Sequence, residues 1–300
     1  MIRVQVPATT ANLGPGFDCL GMALELYNVV EFSKLNHGLV IEIEGEGSGE
    51  LPRDQNNLVY RAARRVFEKT GYNPGGLRIR LSNNIPLGRG LGSSASAVVG
   101  GIIAAGMMSG ASLSQREILG LACSMEGHPD NVAPAVLGGL IIYTSVDGEI
   151  SWLKIDLPAG LKVVAAVPDF PVNTREAREN LPHMVTLRDA VFNIGRAALL
   201  VAALQKGDFN LLGTAMDDRI HQSYRSGLIP GYKKVVSAAR LAGARGVAIS
   251  GAGPTIIAMA DGNYKLIAEV MKETFRESGV SARTIILDPS PVGARALEVI

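Results

Sequence analysis

The residue types best suited to chemistry crowd into one stretch, Pro86-Leu87-Gly88-Arg89-Gly90-Leu91-Gly92-Ser93-Ser94-Ala95-Ser96. Glycines at every second position, Gly88, Gly90 and Gly92, let backbone amides approach a ligand with no Cβ in the way. Ser93 to Met108 is apolar on nearly every face, the pattern of a helix buried all round. Ahead of the loop, Leu77, Ile79 and Leu81 alternate with Arg78, Arg80 and Ser82, the period of a half-buried strand. Strand, glycine loop and helix start bring unpaired amides and the positive end of a helix dipole to one point, which suits phosphate. A turn that merely needs glycine accounts for the same letters. No lysine follows Gly92, so the Walker arrangement is excluded, and Ser93 stands where G-x-G-x-x-G needs its third glycine. Charge neutralisation would come from amides, hydroxyls and a metal.

A second cluster, Glu126-Gly127-His128-Pro129-Asp130-Asn131, precedes another small-residue run. No second histidine stands at zinc spacing, whereas a hard cation that takes few protein oxygens, magnesium, suits Glu126 with Ser93. A lone histidine such as His128 also has a purely structural reading. Asn12 and Asp18 lie in a loop of small residues, Ala8 to Gly21, that is either an ordinary surface loop or one whose polar groups converge on a ligand. Thr174 and Arg178 are four apart and share one face of a helix. Arg178 and Arg225 read equally as solvated surface charges, and Ser250-Gly251-Ala252-Gly253-Pro254-Thr255 as a tight hairpin.

The pattern P-x-G-x-G-L-G-S-S-A at 86–95 resembles the phosphate loop of the GHMP kinases. P-A-T-T-A-N-L-G-P-G-F-D at 7–18 and G-A-G-P-T at 251–255 are similar to the first and third motifs of that family, so the likeness spans essentially the whole chain. E-G-H-P-D-N-V-A-P-A-V-L-G-G at 126–139, T-R-E-A-R at 174–178 and H-Q-S-Y-R-S-G-L-I-P at 221–230 resemble the branch that acts on L-homoserine. The resemblance implies an α+β fold of two domains, an N-terminal ribosomal-S5-like βαβ domain and a C-terminal ferredoxin-like domain, with the active site between them. It implies that residues 86–96 hold ATP, that Ser93 and Glu126 contact Mg2+, and that Asn57 lies beside the adenine. It places Asn12, Asp18, His128, Asn131, Arg178, Arg225 and Gly251 at the substrate and Thr174 by the transferred phosphate. The implied reaction moves a phosphoryl group from ATP to the side-chain hydroxyl of L-homoserine, a step toward threonine. Asp18 suits the substrate ammonium, and the planar forks of Arg178 and Arg225 suit its carboxylate. No dedicated general base is implied, because the Asn131 amide takes no proton at neutral pH and a loose transition state needs little prior deprotonation. In the rival reading Asp130 is the base. Two alternatives remain: a GHMP kinase acting on mevalonate or a sugar, and a GHMP-fold protein that binds without catalysis, which an intact phosphate loop disfavours.

These groups need a scaffold. Val4 and Val6 predict an opening strand closed by Pro7, with further strands over Ala23–Phe32 and Leu39–Ile43. Asn56 or Asn57 caps a helix running to Thr70, and the capping box Ser114–Glu117 opens another that ends near Glu126. Leu140–Thr144 and Trp152–Ile155 predict a hairpin turning at Asp147-Gly148. A domain boundary is expected there, dividing the chain into 1–152 and 153–300. The second half reads β-α-β-β-α-β with helices inserted after its first strand, a ferredoxin-like order. Three hundred residues, 47% hydrophobic and 19% charged, describe a globular chain, and a formal charge of +1 with no basic run argues against a nucleic-acid partner. Cys19 and Cys123 have no metal or redox spacing and are expected as buried thiols in a reducing compartment. The first residues lack the apolar core of a signal peptide, and the longest apolar runs are too short to span a bilayer. A cytoplasmic protein with small-molecule partners and no membrane is expected, and a homodimer stays open.

Overall fold

The computed structural model describes residues 1–146 and 149–299. The first sheet contains β1 (Ile2–Ala11), β2 (Leu20–Leu35), β3 (Gly38–Gly45), β4 (Gly76–Asn83), β5 (Leu140–Val146) and β6 (Glu149–Ile155). Its main path runs β3-β4-β2-β1, with β5 pairing β2 and then β6. Pro7 does not close the first strand. β1 continues to Ala11, and its register against β2 shifts between Pro7 and Ala8, where a residue without an N–H is tolerated. The turn at Asp147-Gly148 lies outside the described residues, while the flanking strands pair from Leu140↔Ile155 to Val146↔Glu149.

Helices α1 (Leu58–Thr70), α2 (Ser93–Ser109), α3 (Gln115–Glu126) and α4 (Val132–Leu137) cover one face of this sheet. α2 is central, with Val98, Val99, Ile102, Ala104 and Ala105 fully buried. A Cβ on Gly100 would stand 2.6 Å from the Val30 side chain, and one on Gly101 2.6 Å from the Val59 carbonyl. Small residues are therefore what let β2 and α1 close on α2 from opposite sides. The capping box at Ser114–Glu117 forms as its spacing predicts.

The second sheet contains β7 (Lys162–Pro168), β8 (Gly246–Ile249), β9 (Ile256–Ala260) and β10 (Ala282–Leu287), in the order β10-β7-β9-β8 and antiparallel throughout. That is the ferredoxin-like order 4-1-3-2 expected of β-α-β-β-α-β, with α9 (Tyr232–Leu241) and α10 (Tyr264–Glu277) as the crossovers. Between β7 and α9 lie α5 (Thr174–Glu179), α6 (Leu187–Lys206), α7 (Leu212–Ala215) and α8 (Gln222–Arg225). The last strand, β11 (Arg295–Val299), returns to the first sheet and pairs antiparallel with β1. A single cut at residue 152 therefore does not separate the two sheets, because β6 continues to Ile155 and β11 crosses back. The two cysteines are free and half-buried rather than fully buried. Among the described residues no helix is long and apolar enough to cross a membrane.

Candidate active site

The glycine loop joins β4 to the N-terminus of α2, and Gly88, Gly90 and Gly92 all have positive φ. Packing needs two of them as much as any ligand would. A Cβ on Gly90 would lie 2.2 Å from the Ser250 carbonyl oxygen, and one on Gly92 1.9 Å from Thr9 Oγ1. The Ser250 hydroxyl also donates to the Gly90 carbonyl at 2.6 Å, so the loop is clamped between β1 and the 250–255 turn. Gly88 is more open, its nearest neighbour being Pro171 Cβ at 3.3 Å. Not every residue of 86–96 faces the ligand side. Arg89 turns outward and donates to the carbonyls of Pro168, Leu87 and Asp169, stapling the loop to the end of β7. Leu91 is buried in the core beneath, Pro86 faces a groove on the Arg89 side, and the Ser96 hydroxyl is spent on Ser93 O and Asn28.

Gly88, Gly90, Gly92, Ser93, Ser94 and Ala95 form one wall of a cavity of about 560 Å3. Leu87, Gly88, Ser93 and Ser94 also line an adjoining cavity of about 360 Å3 floored by Leu51, Val59 and Ala97. Asn57 lines that second space, but its amide is engaged, accepting from Val59 N at 3.0 Å as helix cap and donating to Pro52 O at 2.8 Å.

The opposite wall comes from the 12–19 loop, α5 and α8. Asn12, Leu13 and Asp18 adopt left-handed backbone, which non-glycine residues rarely do. The Asn12 carboxamide accounts for it by accepting from Asp18 N at 3.1 Å and donating to Gly251 O at 3.0 Å. Asn12 thus reaches the cavity with both ends of its side chain occupied. Asp18 receives both arms of the Arg178 guanidinium, each at 2.9 Å. Arg225 is only 2% exposed and donates to Gly251 O at 3.0 Å and Ala177 O at 3.3 Å. Burial pulls its pKa down from the ordinary arginine value. Thr174 opens α5, capped by Asn173, and lines the same cavity.

The 126–131 segment makes the third side. Glu126 accepts from the Ser94 hydroxyl at 2.7 Å, and burial pushes its carboxyl above the usual range. Asp130 is nearly buried, and one of its oxygens accepts from His128 Nδ1 at 2.5 Å, Asn131 N at 2.9 Å and Asn131 Nδ2 at 3.2 Å. Thr9 donates to Asn131 Oδ1 at 2.9 Å. The Asn131 amide is therefore oriented by Thr9 on one side and Asp130 on the other. Asp130 raises the His128 pKa through this hydrogen bond.

One cavity thus collects Asn12, Asp18, Ser93, Glu126, His128, Asn131, Thr174, Arg178, Arg225 and Gly251, from positions more than two hundred residues apart. Thr9, Ser250 and His221 support it; each lies in a stretch singled out above, but its role rests on partners far away in the chain. Such a space can hold an anion against the α2 amides and a zwitterion among Asp18, Arg178 and Arg225.

Comparison with known proteins bears on this arrangement. Residues 57–139 match the GHMP kinases N terminal domain and residues 200–277 the GHMP kinases C terminal domain. A homoserine kinase of Caldicellulosiruptor bescii is 45% identical, covering 100% of this chain and 98% of its own. The chain belongs to the homoserine kinase family of the GHMP kinases. Another homoserine kinase, from Moorella thermoacetica, is 47% identical over 98% of this chain and 99% of its own. The crystal structure of homoserine kinase from Cytophaga hutchinsonii superposes with a TM-score of 0.89 at 33% identity, covering 99% of this chain and 97% of that one. Mevalonate kinase of L. major, at 17% identity and a TM-score of 0.72 over 95% of each chain, shares the fold alone.

Proposed function

We propose that this protein transfers the γ-phosphoryl group of ATP to the side-chain hydroxyl of L-homoserine, giving ADP and O-phospho-L-homoserine. The observation that carries the reading is the meeting of Asp18, Arg178 and Arg225 across one cavity from the glycine loop and the α2 N-terminus. Homoserine brings an ammonium and a carboxylate, and those three side chains offer one anion and two planar cations. The adjoining apolar-floored cavity at Asn57 and Leu87 suits the nucleotide base. The phosphates then fall between, on the backbone of 88–94, where the α2 first turn holds no acidic residue to repel them.

Phosphoryl transfer asks mainly for positioning and charge stabilisation. Arg178 and Arg225 fix the amino acid by its carboxylate, and Asn131, itself fixed by Thr9 and Asp130, orients the attacking hydroxyl. Asp130 already accepts three hydrogen bonds on one oxygen, so it acts on Asn131 and His128 rather than as the base. Thr174 stands at the transferred group. Magnesium fits this donor set: Glu126 and Ser93 line one cavity and would supply hard oxygen ligands, leaving the remaining positions to phosphate and water, and a cation would offset the burial that raises the Glu126 pKa. Bound there, it would neutralise charge on the β- and γ-phosphates. Two units divided near residues 152–155, the second lending β11 back to the first, hold the cleft between their sheets. The test is ATP consumption against homoserine, mevalonate and galactose, with the phosphorylated product identified by phosphorus NMR. Turnover with mevalonate or galactose but not homoserine would overturn the reading.

A further inference from the structure

In the homoserine site Arg178 and Arg225 stand near Asp18, in a cavity that Arg175, Glu126, Asp130 and Glu179 also line. Arg178 is satisfied by Asp18. Arg225 is bonded only to carbonyl oxygens and to a histidine nitrogen, and no carboxylate lies within ion-pair distance of it among the described residues. Burial pulls the Arg225 pKa down, the charge on Asp18 opposes this, and the charge on Arg178 adds to it. Before a substrate carboxylate arrives, the buried Arg225 has no ion-pair partner of its own, and its placement relative to the half-exposed Arg178 depends on the groups packed against both.

Phe17 lies against both arginines. Its ring centroid is 5.6 Å from Arg178 Cζ and 5.2 Å from Arg225 Cζ. The same ring stacks with His221, the centroids 5.2 Å apart and the planes 28° from parallel. His221 is wholly buried. Its Nε2 donates to the Gly14 carbonyl at 2.7 Å, which leaves Nδ1 as an acceptor 3.4 Å from Arg225 Nη1. The backbone of His221 is pinned in turn, its N–H donating to the buried Asp218 carboxylate at 2.9 Å.

We propose that Phe17, backed by His221, is a positioning residue that sets the spacing of Arg178 and Arg225 for the two-armed grip on the substrate carboxylate. An aromatic ring attracts cations through its electron-rich π system while carrying no net charge. It offsets part of the repulsion between the guanidinia without neutralising either. A carboxylate at position 17 would compete with the substrate for both arginines, and an aliphatic side chain would leave them without the attraction of the ring. Phe17 and Asp18 are neighbours in the loop that Asn12 clasps, so one loop places both the ring and the carboxylate that pairs Arg178. The inference rests on reading the cavity as the homoserine site.

Steady-state kinetics of the full-length enzyme test it. Phe17→Leu should raise the homoserine KM by about 5- to 30-fold, the range expected from losing two cation–ring contacts, with the ATP KM and kcat within about twofold of wild type. Phe17→Tyr, which keeps the ring, should stay within about threefold of the wild-type homoserine KM. Pentafluorophenylalanine incorporated at position 17 keeps the shape but reverses the ring polarity, and it should raise the homoserine KM as the leucine does. A wild-type homoserine KM with the fluorinated ring would overturn the proposal, because shape alone would then suffice. If Phe17→Leu fails to fold, the fluorinated protein still decides. If the wild-type enzyme does not phosphorylate homoserine at all, the reading of the site falls and this inference falls with it.

Discussion

Replacing Arg225 by leucine separates binding from stability most sharply. Arg225 is 2% exposed, whereas the Arg178 side chain is 45% exposed and already paired with Asp18. A pair as exposed as Arg178 is worth about 0–1 kcal/mol, whereas a buried charge left without its partner costs about 3–5 kcal/mol. Arg225→Leu should therefore lower kcat/KM for homoserine by about 10²- to 10⁴-fold, and Arg178→Leu by clearly less. The folded protein should hardly notice. Gly251 O keeps its hydrogen bond from Asn12 at 3.0 Å, and the guanidinium desolvation that burial imposes disappears. The hydrogen bonds to Gly251 O at 3.0 Å, Ala177 O at 3.3 Å and His221 Nδ1 at 3.4 Å, about 1 kcal/mol each, are lost against this gain, so Tm should fall by no more than about 6 °C. Nucleotide affinity, read by calorimetry, should be unchanged. A loss in kcat/KM below about tenfold, or a larger loss for Arg178→Leu, would refute the assignment of the buried guanidinium to the substrate carboxylate. A fall in Tm above about 10 °C would show that Arg225 is a structural group instead.

Asp130→Asn should reduce kcat by less than the factor of about 10²–10⁴ that a positioned base contributes, while Asn131→Leu should lose more. A thousandfold loss in a folded Asp130→Asn enzyme with intact substrate affinities would restore the aspartate as base. Gly92→Ala should destabilise the fold by on the order of 2–3 kcal/mol in denaturant melts, since its Cβ would meet Thr9 Oγ1 at 1.9 Å. Gly88→Ala should cost about 1 kcal/mol and act chiefly on the ATP Kd, and equal melts for the two variants would contradict the packing role of Gly92. At α3, Lys69 and Ser114 hold the Glu117 carboxyl at about 2 against an ordinary 4.5. Its stabilisation is present above pH 4.5 and lost as pH falls toward 2, so Glu117→Gln should flatten the acid limb of the stability profile there. An unchanged acid limb would remove that pair from the account.

Elements whose signals are local were legible in the sequence. α2 needed only small apolar residues after a glycine loop, α3 only its capping box, and the second sheet only the order of its strands. The site was legible as a set of side chains but not as a geometry. Arg89 sits in the middle of the phosphate loop, yet it points at the end of β7, because which side of a loop a residue takes depends on what packs there. Gly90 and Gly92 look like glycines that make room for a ligand, whereas the atoms crowding them are Ser250 O and Thr9 Oγ1. Thr9 reads as one more small residue in a strand, and its role depends on Asn131, 122 positions away. Pro7 looked like a terminator because the rule considers one strand alone, while a register shift against β2 absorbs the missing donor. Of Asn56 and Asn57, the two caps the sequence offers, Asn57 is the one used, and its amide is shared between Val59 N and Pro52 O.

The return of β11 to β1 has a consequence for how the chain is made. Synthesis runs from the N-terminus, and domains generally fold as units while it proceeds. Here the start of the first strand, Ile2 to Gln5, waits with one edge unpaired until more than 280 residues have followed it, because its neighbour on that side is Arg295–Val299. An exposed strand edge is a template for pairing with other chains. The nascent protein is therefore most exposed to misassociation while the second half is still emerging from the ribosome, and the final strand acts as the closing seam of a sheet begun at residue 2.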